Sequence, residues 1–350
     1  MKLKDLSDGT WNYVRTLLPA DLETSAKVTG ALRRRRGVHD AEALARMLLA
    51  YGSTDLSLKS VAGWGKSMGI SELSAPALFY RVRDAEQWLS AMLAALLNEE
   101  VRPAETRGLR LRVVDATVVV GPGAKGTEWR VHVLADPATG RMRAVEITDA
   151  HGAEGYGEHP LEAGEVVLGD RGYAYSGSIA AAVQRGAHVV VRFNPQTLRL
   201  CTADRERLRL QELGEVVPQT GAVSWDAVLP VFPPRRKTKS NKSWPLSQAI
   251  DWLWVRVIAA RTRNGKIIWV LTTLDPGLAT PLAVLDLYRL RWQVELLFKR
   301  LKTLLRLDLL PSSQGPTARS WLLARLFAAA LAQKLLDPND ALSPWGYVLG

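Results

Sequence analysis

The order of β-rich and helical segments between residues 109 and 193 most constrains how this chain can fold. Three β-rich segments follow one another, with turn residues between them, at residues 109–119, 128–136 and 142–148. This pattern predicts a three-stranded meander. A short apolar strand, a helix and another strand come next, at residues 165–170, 178–185 and 188–193. The whole order therefore predicts a mixed central sheet with helices packed on it.

The first part of the chain, residues 1–105, predicts a helical domain, because apolar residues recur there at helical spacing. Within it, residues 57–65 and 75–83 form a helix-turn-helix candidate. Ser74 is the expected N-cap of the second helix, with Pro76 in the first turn. In such a pair the second helix enters the major groove of DNA. A plain helical bundle is the alternative interpretation.

The remaining chain changes composition twice. Residues 195–274 are rich in Pro, Trp and basic residues, with short β-rich segments, and predict a mainly β insertion. A helix containing Tyr288 and a final apolar helix beginning near Trp321 follow it. The predicted fold class is multidomain α+β: a helical N-terminal domain, a mixed α/β core interrupted by the β insertion, and C-terminal helices. The expected domains are residues 1–105, 106–194, 195–274 and 275–350.

The charge of the chain favours a polyanionic partner. The 350 residues carry a formal net charge of +11, and four consecutive arginines occupy residues 33–36. Such a balance is typical of proteins that bind nucleic acid. No apolar run reaches the roughly 18 residues of a membrane span, and no apolar signal segment is visible. A single cysteine, Cys201, excludes an intrachain disulfide and a cysteine-based zinc cluster. We therefore expect a cytoplasmic protein with no membrane role.

Four polar residues near the C-terminus share one spacing, Y-x2-R-x3-E-x6-K: Tyr288, Arg291, Glu295 and Lys302. On a single helix they would lie within an arc of about 60°. Apolar residues fill the adjoining arc and would dock that helix on a core. An acid flanked by cations and a phenol suits a metal-dependent site for phosphodiester chemistry. A solvated charged face is the alternative interpretation.

Three acids stand out by their positions. Asp115 lies within the first β-rich segment, Asp170 ends the short apolar strand, and Glu295 lies on the helix. We expect the fold to bring them into one pocket, where carboxylates repel one another unless cations neutralise them. Hard oxygen ligands select Mg²⁺ or Mn²⁺, and two such ions serve phosphodiester transfer in many enzymes.

Each of these acids also has a purely structural interpretation. Asp115 would then be a buried, hydrogen-bonded strand residue, and Asp170 would form a turn. Other acids that rank lower as members of the site are Asp136, Asp149 and Glu154. His151 and Glu154 suit a supporting position beside the three acids better than a direct one.

Several segments, taken in chain order, are similar to one known family: residues 114–117, 129–132, 148–154 and 168–173, with the Y-R-E-K spacing. They resemble the DDE transposases of the bacterial insertion-sequence-four family, and the match covers nearly the whole chain. The resemblance implies a ribonuclease-H-like core. It also implies metal-dependent cleavage at transposon ends and strand transfer into target double-stranded DNA, carried out by a homodimer.

The resemblance also implies a role for each matching residue. Asp115, Asp170 and Glu295 would be the catalytic, metal-binding triad for Mg²⁺ or Mn²⁺, with two ions. The phosphates near the cleaved strand would be contacted by Tyr288, Arg291 and Lys302, and Arg171 would also contact the DNA backbone. Two tryptophans of the insertion, Trp225 and Trp244, are open alternatives for holding a flipped base, and the basic run 235–242 suits a DNA-facing loop.

Two other functions remain open for this sequence. One is a catalytically inactive, DNA-binding relative that acts as a repressor. The other is a ribonuclease-H-like nuclease without strand transfer. Mg²⁺-dependent cleavage that requires the transposon ends would separate both from an active transposase.

Overall fold

The computed structural model describes residues 8–98, 105–106, 108–123, 126, 128–152, 154–231, 251–307, 310–311 and 315–335. The chain divides into two compact units. We call the first the helical unit, with residues 1–101, 118–130 and 298–342. We call the second the sheet unit, with residues 102–117, 131–297 and 343–350. The basic run 235–242 and Trp244 lie outside the described residues.

The sheet has strands β1 (Glu105–Thr106), β2 (Leu109–Val119), β3 (Trp129–Ala135), β4 (Met142–Asp149), β5 (Glu165–Gly169), β6 (His188–Arg192), β7 (Val223–Pro230), β8 (Trp252–Arg261) and β9 (Ile267–Thr272). Over the described residues their order is β4-β3-β2-β5-β6-β9-β8-β7, and β1 pairs with β2. β5 runs parallel to both β2 and β6. The predicted meander and mixed sheet are therefore confirmed, with strand ends within a few residues of those expected.

The strands of the predicted insertion continue the same sheet. β9 pairs antiparallel with β6, and β8 lies antiparallel between β9 and β7. The core that lines one face is continuous across this junction, since Val189 and Val191 of β6 belong to the same buried cluster as Val257 and Leu271. A new strand at a sheet edge satisfies the edge backbone groups, which explains why the β-rich segments join the sheet instead of standing apart.

Two helices accompany the sheet strands in sequence, α7 (Ser176–Gln184) and α8 (Leu210–Glu215). α7 follows β5 and leads into β6, so that it forms the crossover that parallel strands require. Its Ile179, Ala180 and Ala182 are buried in the main core. The predicted β-α-β unit is thus confirmed.

The helical unit contains α1 (Asp8–Thr16), α2 (Leu22–Val28), α3 (Ala41–Ser53), α4 (Leu58–Ser67), α5 (Ala75–Asp84), α6 (Glu86–Leu97) and α11 (Gly315–Leu335). α11 packs against α3, α5 and α6. The junction is reinforced by Asp55, which accepts hydrogen bonds from Arg325 at 3.0 Å and Arg306 at 3.3 Å. A helix from the end of the chain thereby completes the core formed by its beginning.

The helix-turn-helix candidate has the predicted local structure. The side chain of Ser57 caps α4 by accepting from Ser60 N, and that of Ser74 caps α5 by accepting from Ala77 N. Pro76 lies in the first turn of α5, where its missing N–H costs nothing. α4 and α5 contact each other.

The prediction of one continuous helix through the Y-R-E-K residues is wrong. α9 (Pro281–Arg289) ends before Leu290, and α10 (Trp292–Leu305) begins two residues later. Between them, Leu290 N donates to Leu287 O at 3.0 Å and Arg291 N to Tyr288 O at 3.1 Å. These bonds span three residues instead of four, which tightens the chain into a 3₁₀ turn. Four residues of the predicted apolar stripe are buried, namely Leu287, Val294, Leu297 and Leu301. Leu290 is half-buried, and the side chains of Leu304 and Leu305 lie outside the described ones.

None of the helices described in this structure has the length and apolar character needed to cross a membrane.

Candidate active site

Strand register places two of the predicted acids side by side. β2 and β5 run parallel, with Val113 opposite Leu168 as the last paired residues. The same offset, continued for two residues, sets Asp115 beside Asp170, just beyond the carboxyl end of β5. Neighbouring strands lie only about 4.8 Å apart. The meeting of these two carboxylates is therefore a direct consequence of sheet pairing.

The environment of Asp115 disfavours its charged form. The side chain is only 18% exposed, and its pKa is raised to about 6, with burial as the largest cause. The nearby carboxylates of Asp170 and Glu154 contribute to this rise in pKa, whereas Ala116 N, which donates to Asp115 Oδ1 at 2.8 Å, and Arg291 partly offset it. A carboxyl group whose pKa is shifted in this way by burial and neighbouring charges is typical of functional sites.

Arg291 joins the third predicted acid to the first. Its Nη1 lies 3.8 Å from Asp115 Oδ2, and its Nη2 lies 2.5 Å from Glu295 Oε1. Tyr288 completes this group, since the guanidinium carbon of Arg291 is 5.9 Å from the centre of its ring. The 3₁₀ turn positions Arg291 at the junction of α9 and α10, so that one cation serves acids from a strand and from a helix.

Asp170 also organises the loop that follows it. Its Oδ1 accepts from Gly172 N at 2.8 Å and caps the short 3₁₀ turn Arg171–Tyr173. A Cβ on Gly172 would stand 1.8 Å from Glu154 Oε2, so the glycine is what allows Glu154 to approach. The predicted supporting residue Glu154 therefore lies at the site.

Gly169, the last residue of β5, precedes Asp170 and leaves room for the side chain of Tyr156. A Cβ there would lie 2.2 Å from the hydroxyl oxygen of Tyr156. Tyr156 and Tyr173 are fully buried, with ring centres 5.2 Å apart. Over the described residues neither hydroxyl has a hydrogen-bond partner. Burial raises the pKa of both phenols well above their ordinary value, so both stay neutral beside the acids.

The other predicted residues take different positions. Arg171 is exposed immediately after Asp170. Lys302 is partly exposed two turns beyond Glu295 on α10. Trp225 on β7 contacts Trp269, with ring centres 6.0 Å apart.

Two of the lower-ranked acids, Asp136 and Asp149, make contacts that stabilise local structure. Asp136 is buried, lies 3.7 Å from Arg112 and accepts from the backbone N–H groups of Ala138 and Thr139. Arg112 is itself paired with the buried Glu165 at 2.7 Å. Asp149 accepts from the backbone N–H of His151 at 2.9 Å, at the end of β4.

The donor chemistry of the site fits a hard divalent cation. Asp115 and Asp170 offer carboxylate oxygens, and their repulsion is what a bound cation would relieve. Arg291 currently serves as the counterion of Asp115 and Glu295. In the part of the chain that is described, no three His, Cys, Asp or Glu side chains are grouped closely enough to hold a metal.

Tyr156 and Tyr173 are not among the site residues that the sequence predicts. Both side chains are buried, and nothing in their charge or spacing in the sequence distinguishes them from tyrosines of an ordinary core. The signal was available in the glycines at residues 169 and 172, which flank an acid at a strand end and indicate close approach of other groups.

Comparisons with known proteins identify the family of the chain. The family model described as "Transposase DDE domain" matches residues 106–331. The putative transposase InsL for insertion sequence element IS186A of Escherichia coli K12 is 35% identical over 349 residues, covering 93% of each chain. The transposase for insertion sequence element IS421 of Escherichia coli is 35% identical over 350 residues, again covering 93% of each chain.

A more distant relative and one solved structure extend the comparison. The putative transposase y4zB of Sinorhizobium fredii is 26% identical over 257 residues, covering 70% of this chain and 64% of that protein. A cryo-EM structure of the piggyBac transposase synaptic complex with hairpin DNA aligns at a TM-score of 0.48 and 9% identity, over 96% of this chain and 75% of that one. From the family match and the two insertion-sequence relatives, the chain belongs to the DDE transposases and is an enzyme that catalyses DNA cleavage and strand transfer.

Proposed function

We propose that Asp115, Asp170 and Glu295 are the catalytic triad of this transposase. The observation that carries the proposal is the β2–β5 register that sets Asp115 beside Asp170, with Arg291 joining Asp115 to Glu295. In the first step, a water oxygen attacks a phosphorus at the transposon end and the bond to the 3′ oxygen breaks. In the second, the freed 3′-hydroxyl attacks a target phosphodiester and expels another 3′-hydroxyl. Neither step needs a covalent enzyme intermediate.

DDE transposases generally use divalent metal ions, and we infer Mg²⁺ or Mn²⁺ at this site, with two ions held by the triad. Such ions, when bound, supply Lewis-acid activation of the nucleophile and stabilise the leaving oxygen. Asp115 and Asp170 would provide hard oxygen ligands for these ions, with Glu295 as the third acid.

We further propose that Tyr288, Arg291, Lys302 and Arg171 contact DNA phosphates. Guanidinium groups form bidentate bonds with phosphate oxygens, and ammonium and phenol groups donate to them singly. The exposure of Arg171 next to Asp170 supports this role, as does the position of Arg291 between two acids of the triad.

The larger organisation follows the insertion-sequence-four family in this proposal. The strand order β4-β3-β2-β5-β6, with three meander strands and then two parallel ones, supports a ribonuclease-H-like core. Residues 1–105 would form the DNA-binding domain, residues 106–194 and 275–350 the two parts of the core, and residues 195–274 the insertion. The enzyme would act in the bacterial cytoplasm as a homodimer on its transposon ends.

The test is cleavage of the DNA ends of the protein's own element by the purified protein, with and without Mg²⁺. Glu295→Gln is assayed beside it, with Glu215→Gln as the matched control, because Glu215 is an exposed residue of α8 in the sheet unit. We expect cleavage by the wild type and the control, and a loss of at least about 1,000-fold in Glu295→Gln, the scale of a lost group in electrostatic catalysis.

Other outcomes lead to other functions. Equal cleavage by Glu295→Gln and the wild type would refute the triad. Specific binding of the ends without cleavage by any of the proteins would indicate the inactive, DNA-binding relative. Cleavage of any duplex without strand transfer would indicate a nuclease.

A further inference from the structure

Four consecutive arginines form an exposed loop that the active site does not use. Arg33–Arg36, here called the arginine loop, lies between α2 and α3, and all four residues are exposed. Arg35 pairs with Glu23 at 2.5 Å. Within the described parts of the chain, no carboxylate lies within ion-pair distance of Arg33, Arg34 or Arg36. Three positive charges therefore stand uncompensated within four residues.

The backbone of the arginine loop is held in place by α5. Arg81 donates to Ala31 O at 3.3 Å, to Arg36 O at 3.4 Å and to Arg34 O. Three backbone carbonyls thus accept hydrogen bonds from one guanidinium. A single side chain of α5 thus fixes the path of the whole loop.

A second attachment lies immediately after the loop. Gly37 O accepts from Ser71 Oγ at 2.9 Å and from Glu72 N at 2.9 Å, and Val38 pairs with Ser71 in a β-bridge. The loop is therefore tied to the turn between α4 and α5 as well as to α5. A fixed backbone reduces the ordering cost that a flexible basic arm pays on binding.

The surroundings favour a polyanion that is recognised by charge. Lys59 of α4 is also exposed, as are Lys66 and Arg83, which pair with Glu72 at 3.4 Å and with Asp84 at 2.8 Å. By contrast, the first turn of α5 exposes Pro76, which has no hydrogen-bonding side chain. The unpaired cations of the loop and Lys59 suit phosphates, whereas Pro76 offers nothing with which to read base edges.

We propose that the arginine loop binds the phosphate backbone of double-stranded DNA through Arg33, Arg34 and Arg36, and that Arg81 is the positioning residue. Planar guanidinium groups suit bidentate contacts with phosphate oxygens. The inference rests on the DNA transposase function and names a second DNA contact, distinct from the residues around the triad. Its contribution is independent of DNA sequence.

The experiment measures duplex affinity across salt concentrations with the full chain. The probes are a random 30-base-pair duplex and a duplex containing the element's end. The test variant is Arg33→Gln/Arg34→Gln/Arg36→Gln. The control is Arg199→Gln/Arg207→Gln/Arg263→Gln, which removes the same charge from exposed positions of the sheet unit.

The expected change follows from counterion release. Each phosphate contact contributes about 0.9 to the salt slope, so three lost contacts lower the slope by roughly 2.7. The affinity of the test variant for both duplexes falls on the order of 100-fold at 0.15 M salt and approaches that of the wild type near 1 M. The control changes much less. Since the three side chains are exposed, thermal unfolding of the test variant matches that of the wild type.

Arg81→Lys tests the positioning role. It preserves the charge, but one ammonium does not reach three carbonyls in the same way. We expect faster amide hydrogen exchange in residues 33–37 and a loss of about tenfold in affinity, the scale of ordering one flexible segment. Unchanged affinity despite faster exchange would overturn the role of Arg81.

The loop proposal fails if the test variant keeps the wild-type salt slope, or if the control loses as much affinity as the test variant. Its failure is distinguishable from failure of the transposase function. A wild-type protein that binds and cleaves its ends, with a test variant of equal affinity, refutes the loop alone. A wild-type protein that binds neither duplex refutes both.

Discussion

Replacing Asp115 by Asn is expected to abolish DNA cleavage while making the protein more stable at neutral pH. Asp115 is buried next to the Asp170 and Glu154 carboxylates, and its pKa is raised from 3.8 to about 6. The ionised form of the Asp115 side chain is therefore destabilised in the folded state at pH 7.5. Asn has the same shape without the charge, and its amide oxygen accepts the bond from Ala116 N.

The size and sign of the effect follow from the pKa. A rise of about two pKa units corresponds to roughly 3 kcal/mol between the two protonation states. Because the folded-state pKa lies above the unfolded one, the folded state binds more protons between about pH 4 and pH 6. The free energy of unfolding of the wild type thus falls as the pH rises through this window. Asp115→Asn carries no titrating carboxyl at this position, so its free energy of unfolding does not fall in this way. It is expected to exceed that of the wild type by about 2 to 3 kcal/mol at pH 7.5 and by roughly 0.5 kcal/mol at pH 4.

Urea unfolding of both proteins at pH 4 and pH 7.5 measures this difference, with Asp204→Asn, an exposed position of the sheet unit, as the control. The control is expected to stay within about 0.5 kcal/mol of the wild type. In a second series at pH 7.5, Mg²⁺ raises the unfolding midpoint of the wild type, because a ligand that binds only the folded state stabilises it. Asp115→Asn loses this response and loses cleavage, while its binding of transposon ends is retained.

The reasoning would be refuted by a variant that is less stable than the wild type at pH 7.5. It would be refuted equally by a stability gain that is the same at pH 4 and pH 7.5, since a titrating carboxylate must show the difference. Full cleavage activity in Asp115→Asn would exclude Asp115 from the triad.

Two further substitutions test the packing that supports the site. Glu165→Gln removes the charge that faces the buried Arg112 at 2.7 Å. The free energy of unfolding in urea is expected to fall by about 3 kcal/mol, the low end for breaking a buried ion pair, because Asp136 remains near Arg112. An unchanged unfolding midpoint would contradict this expectation. Gly169→Ala places a Cβ 2.2 Å from the Tyr156 hydroxyl and is expected to cost about 1 to 3 kcal/mol and to lower cleavage. Adding Tyr156→Phe removes the clashing oxygen, so the double variant should recover part of the stability, and no recovery would show that the clash lies elsewhere.

Much of the fold could be predicted from the sequence, because local chemistry decides it. The meander and the β-α-β unit were evident from β-branched runs, turn residues and helical spacing, since these patterns reflect how a strand or a helix buries one face. The caps at Ser57 and Ser74 were likewise local, as a side chain satisfies backbone N–H groups two or three residues away.

The break between α9 and α10 was beyond such reasoning. The turn at Leu290 and Arg291 contains neither Gly nor Pro, so propensity predicts an uninterrupted helix. The hydrogen bonds shift to three-residue spacing where Arg291 reaches Asp115 and Glu295. Contacts with residues far away in the chain are available only in the folded protein, and they outweigh the small local preference for a regular helix.

The sequence by itself determined which residues carry charge, which segments are strands or helices, and that Asp115, Asp170 and Glu295 are the acids to consider. Tertiary structure alone decided that β5 pairs with β2 in the register that brings Asp115 to Asp170, and that the final helix α11 completes the N-terminal helical core. The physical reason is distance along the chain. Periodicity and capping act over a few residues, whereas register, burial and the resulting pKa of Asp115 depend on groups that only folding brings together.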